Sequence, residues 1–348
     1  MIDQPAHDIR EEATALLSER RDPVSNGAEL APQIFVEPWS SDYGSPMQID
    51  SDQEAANKSE LIEEEGFSFV QPANLERFPV AFIDGVRRQE CWLSQYREGR
   101  SIPGITGSYA TGAVLSHANE PPTYGDERME RVVIWSSGLT GPLPPISGGW
   151  SWRTVSTAES GPIAPMHKLQ QLMQRAESDL AASLAEQGYL VVLDGTLWYA
   201  LHHDTMNIAG YIKTHHVRLL PEVEAARLPS LPTGYRTTLF RTDPGRYACY
   251  LRLTDRGPYA PPMAGIVRLE FSGSLPLGDA RALADRFCSF LPMYAGVAHA
   301  DPRAPQNLQP IGALEKRLRH LLGDPRLAER AARDAVAALK MAGVPHAT

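Results

Sequence analysis

Cysteine is scarce in this chain of 348 residues: Cys91, Cys249 and Cys288 lie far apart and form no CxxC pair. Neither a disulfide framework nor a cysteine-based zinc site fits that pattern. No run of about 18 apolar residues occurs, which excludes the usual membrane-spanning helix. The acidic opening MIDQPAHDIREE lacks the basic-then-apolar order of a secretory signal, so a cytoplasmic location is expected. No segment reads GxxxxGKS/T, GxGxxG after a strand, HExxH or GxSxG. Nucleotide hydrolysis, dinucleotide chemistry, zinc proteolysis and serine-hydrolase chemistry therefore lose their ordinary signals. Repeats of about 20–50 residues are also missing, which argues against a solenoid or propeller.

An excess of basic charge is missing too. The net charge is −9 and the isoelectric point is near 5.6, which at face value counts against a nucleic-acid binder. That charge is unevenly spread. Residues 1–65 hold sixteen Asp and Glu against Arg10, Arg20, Arg21 and Lys58, a net of −12, which leaves +3 for residues 66–348. What remains is a composition suited to a packed globular domain, 43% hydrophobic and 22% charged.

The order of elements suggests two regions. Residues 4–21 carry Ile9, Ala13 and Leu16 at helical spacing, and residues 22–65 are rich in Pro, Ser, Asp and Glu. This stretch, 1–65, reads as a partly disordered acidic arm with a short helix, and the folded domain reads as 66–348. Within the domain, FPVAFIDG (78–85), SYATGAVLS (108–116) and ERVVIWSS (130–137) read as strands, followed by a Pro- and Gly-rich loop at 138–150. A helix is expected over about 166–187, then the strand YLVVLDG at 189–195. Strands at 207–214, 235–242, 246–253 and 265–271 precede helices at about 278–291, 309–322 and 325–341. Such an order predicts an α/β fold with a mixed sheet flanked by helices and a helical C-terminal segment.

The chemistry lies in carboxylates. Asp84 and Asp194 each close an apolar strand in the matching phrases AFIDG and VVLDG, at the sheet edge where α/β folds bind ligands. Asp-Gly is also an ordinary turn, so a single instance would mean little. On the intervening helix, Glu177 falls inside the apolar stripe of Leu169, Met173, Leu180 and Leu184. A carboxylate on a buried face needs a compensator, either an arginine or a cation shared with Asp84 and Asp194. Oxygen-only ligands suit Mg2+ or Mn2+. Lys213 ends another apolar strand and fits either a phosphate contact or a solvated edge. The pairs His202-His203 and His215-His216 are a poor zinc signal, because neighbours on a strand point to opposite faces. Further on, Asp301, Arg303 and Asn307 punctuate a turn before a helix whose outer face bears Lys316, Arg317 and Arg319.

Taken together, the strand ending at Asp84-Gly85, the helix with Glu177, the phrase LVVLDGTL, the strand with Lys213 and the C-terminal DPRAPQNLQPIGALEKRL resemble NurA nucleases, in their bacterial branch, over about residues 75–325. The resemblance implies a ribonuclease-H-like fold and metal-dependent DNA cleavage with Mn2+ or Mg2+, two ions being expected. It further implies a homodimer that works with a HerA-type hexameric ATPase in resecting double-strand-break ends, near the nucleoid. By the same resemblance Asp84, Glu177 and Asp194 take the metal positions and Lys213 the basic one. Archaeal members place a His late in the site. Only His299 precedes the corresponding helix here, so Asp301 is expected as the fourth ligand. Arg87, Arg88, Arg303 and Asn307 are expected to contact nucleic acid. The activity implied is a 5'-3' exonuclease, a single-strand endonuclease, or both. Two other readings stand beside it: a catalytically weak assembly module of a translocase complex, and a nuclease acting on RNA or phage DNA.

Overall fold

The mixed sheet is built on one long antiparallel hairpin. In the computed structural model, β3 (Val80–Arg97) and β4 (Arg100–Ser116) pair along their whole length. Residues 60–63, 66–73, 78–97, 100–118, 120–197, 207–214, 219–242, 245–256, 260–297, 299 and 301–342 are described. They all belong to one unit, Pro38–Thr348. The expected helix at 4–21, most of the acidic arm and the two His-His pairs lie outside the described residues.

The remaining strands are β1 (Glu60–Leu61), β2 (Phe69–Val70), β5 (Thr123–Trp135), β6 (Arg153–Ser156), β7 (Leu190–Asp194), β8 (Ile208–Ile212), β9 (Arg236–Thr237), β10 (Phe240–Thr242), β11 (Arg246–Arg252) and β12 (Ile266–Ser272). Their order is β1-β10-β11-β12-β8-β7-β3-β4-β5-β6, with β2 and β9 off the main path. Within it, β5-β4-β3-β7-β8, numbered by chain order with the edge strand β6 set aside, run third, second, first, fourth, fifth. The first is antiparallel to the second and parallel to the fourth, which is parallel to the fifth. This is the strand arrangement that a ribonuclease-H-like expectation requires.

Helices cover both faces. A long helix, α1 (Ala164–Glu186), joins β6 to β7 and buries Ala181, Leu184 and Ala185 against Ala81, Ile83, Val191 and Leu193. Its first half packs Leu169 and Met173 on Ile105, Tyr109 and Ile134. After a short turn of helix, α2 (Glu222–Ala225), come α3 (Leu277–Phe290), α4 (Gln309–Leu321) and α5 (Pro325–Ala342). Helices α3 and α4 cover the opposite face, where Val80, Phe82, Val86, Val192 and Tyr211 meet Phe287, Ile311, Leu314 and Leu318. A fully buried aliphatic or aromatic side chain contributes about 1.5–3 kcal/mol, so these two layers hold the sheet. Helix α5 closes the far end over Val133, Trp135 and Trp152.

Three departures from the expected boundaries stand out, the first of which bears on the site. The strand bearing Asp84 does not end at Asp84-Gly85 but continues to Arg97, so this Asp-Gly is not a turn. Glu60–Leu61, on the arm side of the expected boundary at 65, pair with β10, and Glu63 follows just after them. There the buried Glu63 accepts from the Arg236 guanidinium at 3.3 Å and from the Leu239 N–H at 3.0 Å. The strand expected over 235–242 is broken into β9 and β10.

Candidate active site at the centre of the sheet

Parallel pairing of β3 with β7 sets Ile83 opposite Leu193, so the next residues, Asp84 and Asp194, stand side by side. Strand alternation puts Asp84 on the face of Phe82 and Val86, and Gly85 on the face covered by α1. The matching phrases have different backbone fates. Gly195 follows the end of β7 with φ +111, a conformation that suits glycine. Gly85 stays extended inside β3 and is needed for another reason. A methyl there would lie 2.6 Å from Glu177 Oε1 and 2.9 Å from Met173 Cγ. The bare backbone at Gly85 is the opening through which the Glu177 carboxylate comes down from α1.

Asp84, Glu177 and Asp194 thus gather near Gly85, whose N–H donates to Asp84 Oδ1 at 2.9 Å. Burial, reinforced by the Asp194 charge, raises Asp84 to about 8. Burial and the charges of Asp84 and Asp194 push Glu177 well above the carboxylate range. Asp194 is raised by burial against the pull of Lys213. The Lys213 ammonium, buried just beyond β8, donates to Asp194 Oδ2 at 2.5 Å and to Asn307 Oδ1 at 2.9 Å. It is the nearest counter-charge at the site, and without a further cation the crowding of three carboxyl groups favours the protonated forms of Asp84 and Glu177.

A second layer comes from the turn before α4. Tyr211 donates its hydroxyl to the Gln306 carbonyl at 2.6 Å, fastening this turn to β8. Asn307, only 1% exposed, accepts from Lys213 and donates to Asp301 Oδ2 at 2.6 Å. Asp301 therefore reaches the cluster only through Asn307. Its carboxylate is gripped by Arg303 through the backbone N–H and two guanidinium bonds of 3.1 and 3.0 Å. Although burial alone would raise it, those bonds hold Asp301 down at about 2. Arg303 also bonds Glu315 at 2.7 Å.

The four residues expected to touch nucleic acid are all engaged by the protein itself. Arg87 donates to Gln170 of α1. Arg88 caps the C-terminal end of α4 through the carbonyls of Leu322 at 2.9 Å and Gly323 at 2.7 Å, where a cation also meets the negative end of the helix dipole. Arg303 holds two carboxylates, and Asn307 joins Lys213 to Asp301. Glu315, whose i,i+4 spacing to Arg319 reads in the sequence as an ordinary surface pair, also belongs to this neighbourhood. Glu315 contributes a negative charge felt by both Asp84 and Asp194. It sits four residues after Ile311 and three before Leu318 on the buried side of α4, the same signal that singled out Glu177.

The donor set is chemically suited to a hard divalent ion, since it offers carboxylate oxygens and an unmet demand for positive charge. Among the described residues, no three His, Cys, Asp or Glu side chains are grouped closely enough to enclose an ion as they stand. No helix among the described residues is long and apolar enough to cross a membrane. No protein-family model matches the chain, and no curated protein matches its sequence. The fold is similar to the crystal structure of the NurA nuclease from Sulfolobus solfataricus, with a TM-score of 0.42 and 13% identity over 71% of this chain and 80% of that one.

Proposed function

We propose that this chain is a divalent-metal-dependent phosphodiester hydrolase that cuts DNA ends, with Asp84, Glu177 and Asp194 holding the ion. The observation that carries this reading is the gathering of three buried, mutually repelling carboxylates at Gly85, with Lys213 as their near counter-charge. Such an arrangement is costly to stability and is expected where a cation or a phosphate must be received. Bound there, Mn2+ or Mg2+ would polarise the phosphate and lower the pKa of an attacking water. Lys213 is placed to stabilise charge on a phosphate oxygen, and Asn307 orients it. Asp301 acts as a positioning residue in this reading, because Arg303 occupies its oxygens. The homodimer, the HerA-type hexameric translocase and a role in double-strand-break resection belong to the same proposal and rest on the sequence resemblance.

One observation favours a second reading, that of an assembly module with little catalysis. Asp194 is already paired with Lys213, and Asp301 with Arg303. A divalent-metal assay on labelled single- and double-stranded DNA separates the two. The hydrolase loses cleavage in EDTA and regains it with Mn2+, and Asp84→Ala or Asp194→Ala abolishes it without unfolding the chain. Near-wild-type cleavage by either variant would sink the site assignment. Absence of cleavage by the wild type with every metal, alongside retained binding of the translocase, favours the module. An RNA arm of the same assay tests the remaining substrate.

A further inference from the structure

Helix α4 has a second use for its outer side. Gln309, Ala313, Lys316, Arg317 and His320 recur at three- and four-residue spacing, opposite the buried Ile311, Leu314 and Leu318, with the buried Gly312 at the margin. Together with Tyr124 of β5 and with Gly296, Val297 and Asp301 they line a groove of about 590 Å³. That volume lies within the range of small-ligand sites and gives room for a nucleotide unit rather than a duplex.

Its walls have a defined chemistry. Tyr124 is 45% exposed, and the Arg317 guanidinium stacks 4.7 Å from its ring centroid. Arg317 is also held by Glu127, with one contact of 3.0 Å, which partly spends its charge. Among the described residues the carboxylate lining the groove is Asp301, which is paired with Arg303. Lys316 and His320 are exposed and have no ion-pair partner among the described residues. The floor is Asn307, which bonds Lys213, which in turn bonds Asp194. The groove is therefore separated from the candidate catalytic carboxylates by two hydrogen bonds.

We propose that this groove receives an unpaired nucleic-acid strand, with a base stacked on Tyr124 and backbone phosphates at Lys316 and His320. An aromatic platform beside a solvated cation and further hydrogen-bond donors is the general means of gripping a single strand without reading its sequence. The proposal deepens the hydrolase reading and rests on it for one point, that the adjoining phosphodiester is led to Asp84 and Asp194.

The test uses the full chain in EDTA, so that binding is read without cleavage. Fluorescence anisotropy with labelled (dT)15 should show Tyr124→Ala weakening binding about 5- to 100-fold, the loss of one stacked base. Tyr124→Trp should restore it. Lys316→Glu/His320→Glu should weaken binding at least about 10-fold, and Lys316→Ala should reduce the salt dependence by about 0.7 in slope, the share of one phosphate on a single strand. An oligo(U) arm distinguishes RNA from DNA as the source of the strand. Wild-type affinity in both variants overturns the proposal, provided their melting temperatures match the wild type. So does a preference for blunt duplex, or competition by poly-glutamate as effective as that of (dT)15. Parallel Mn2+ cleavage by the wild type keeps the two readings apart. Groove-dependent binding without cleavage retires the hydrolase alone, and cleavage with groove-independent binding retires the groove alone.

Discussion

The Glu177 carboxylate rests on the bare backbone of Gly85, so that a single added methyl would come within 2.6 Å of its Oε1. Because Gly85 is extended, alanine is allowed there conformationally and the whole effect is steric. Gly85→Ala should displace Glu177 and Met173, cost about 1–3 kcal/mol by overpacking, and lower metal-dependent cleavage at least 10-fold. Urea denaturation and the cleavage assay check the two parts. Unchanged activity would mean that the position of Glu177 is immaterial.

Asp84 supplies a prediction with a definite sign. Its carboxyl titrates near 3.8 when unfolded and at about 8 when folded without metal. Between those values the folded chain keeps a proton that the unfolded chain has released. Stability in EDTA should therefore fall as pH rises from about 4 to 8. Asp84→Asn removes that penalty and should raise stability at pH 8, by an amount on the order of several kcal/mol, while destroying activity. Melting curves of both proteins at pH 5 and pH 8 decide it, and parallel pH dependence in the two refutes it.

Asn307 joins a buried ammonium to a carboxylate and cannot be replaced by a smaller group without leaving both short of a partner. Asn307→Ala is expected to cost about 2–3 kcal/mol and to reduce cleavage about 10- to 100-fold by loosening Lys213. A matched loss in Lys213→Ala, with no further loss in the double variant, identifies the shared pathway. Additive losses would separate the two residues.

Glu63 meets Arg236, Arg281 and a backbone N–H in the interior. Removing one partner of a buried ion pair costs about 3–5 kcal/mol, and Asp285 remains beside Arg236 to soften the loss. Glu63→Ala should therefore destabilise by about 3 kcal/mol. A change below about 0.5 kcal/mol would show that the strand at Glu60–Leu61 adds nothing to the fold.

How much of this was legible in the residues follows from the kind of signal each carries. The strands and helices with clear periodicity were readable because burial imposes the period, and Glu177 stood out because a carboxylate interrupts an apolar stripe. Neighbouring placement of Asp84 and Asp194 could be anticipated from their matching phrases. The length of β3 could not, because Asp-Gly is chemically a turn signal and only the overlying Glu177 explains a glycine kept extended. Charges such as Arg88 and Arg303 are equally suited to phosphates and to internal carbonyls or carboxylates, and sequence spacing does not say which partner tertiary packing supplies. Glu315 was legible by the Glu177 criterion, but its i,i+4 pairing with Arg319 offered a simpler surface account.

Lys213 carries one more consequence. Asp84 is locked in the middle of a long strand, whereas the ammonium of Lys213 is held at the end of a flexible stem by two hydrogen bonds. If Asp194 is to take a divalent ion on Oδ2, that ion and the ammonium compete for the same oxygen. The chain in effect carries a placeholder cation, which keeps the cluster folded when metal is scarce and makes loading an exchange rather than a simple filling. Apparent metal affinity would then be set as much by how readily the lysine swings aside as by the carboxylates themselves.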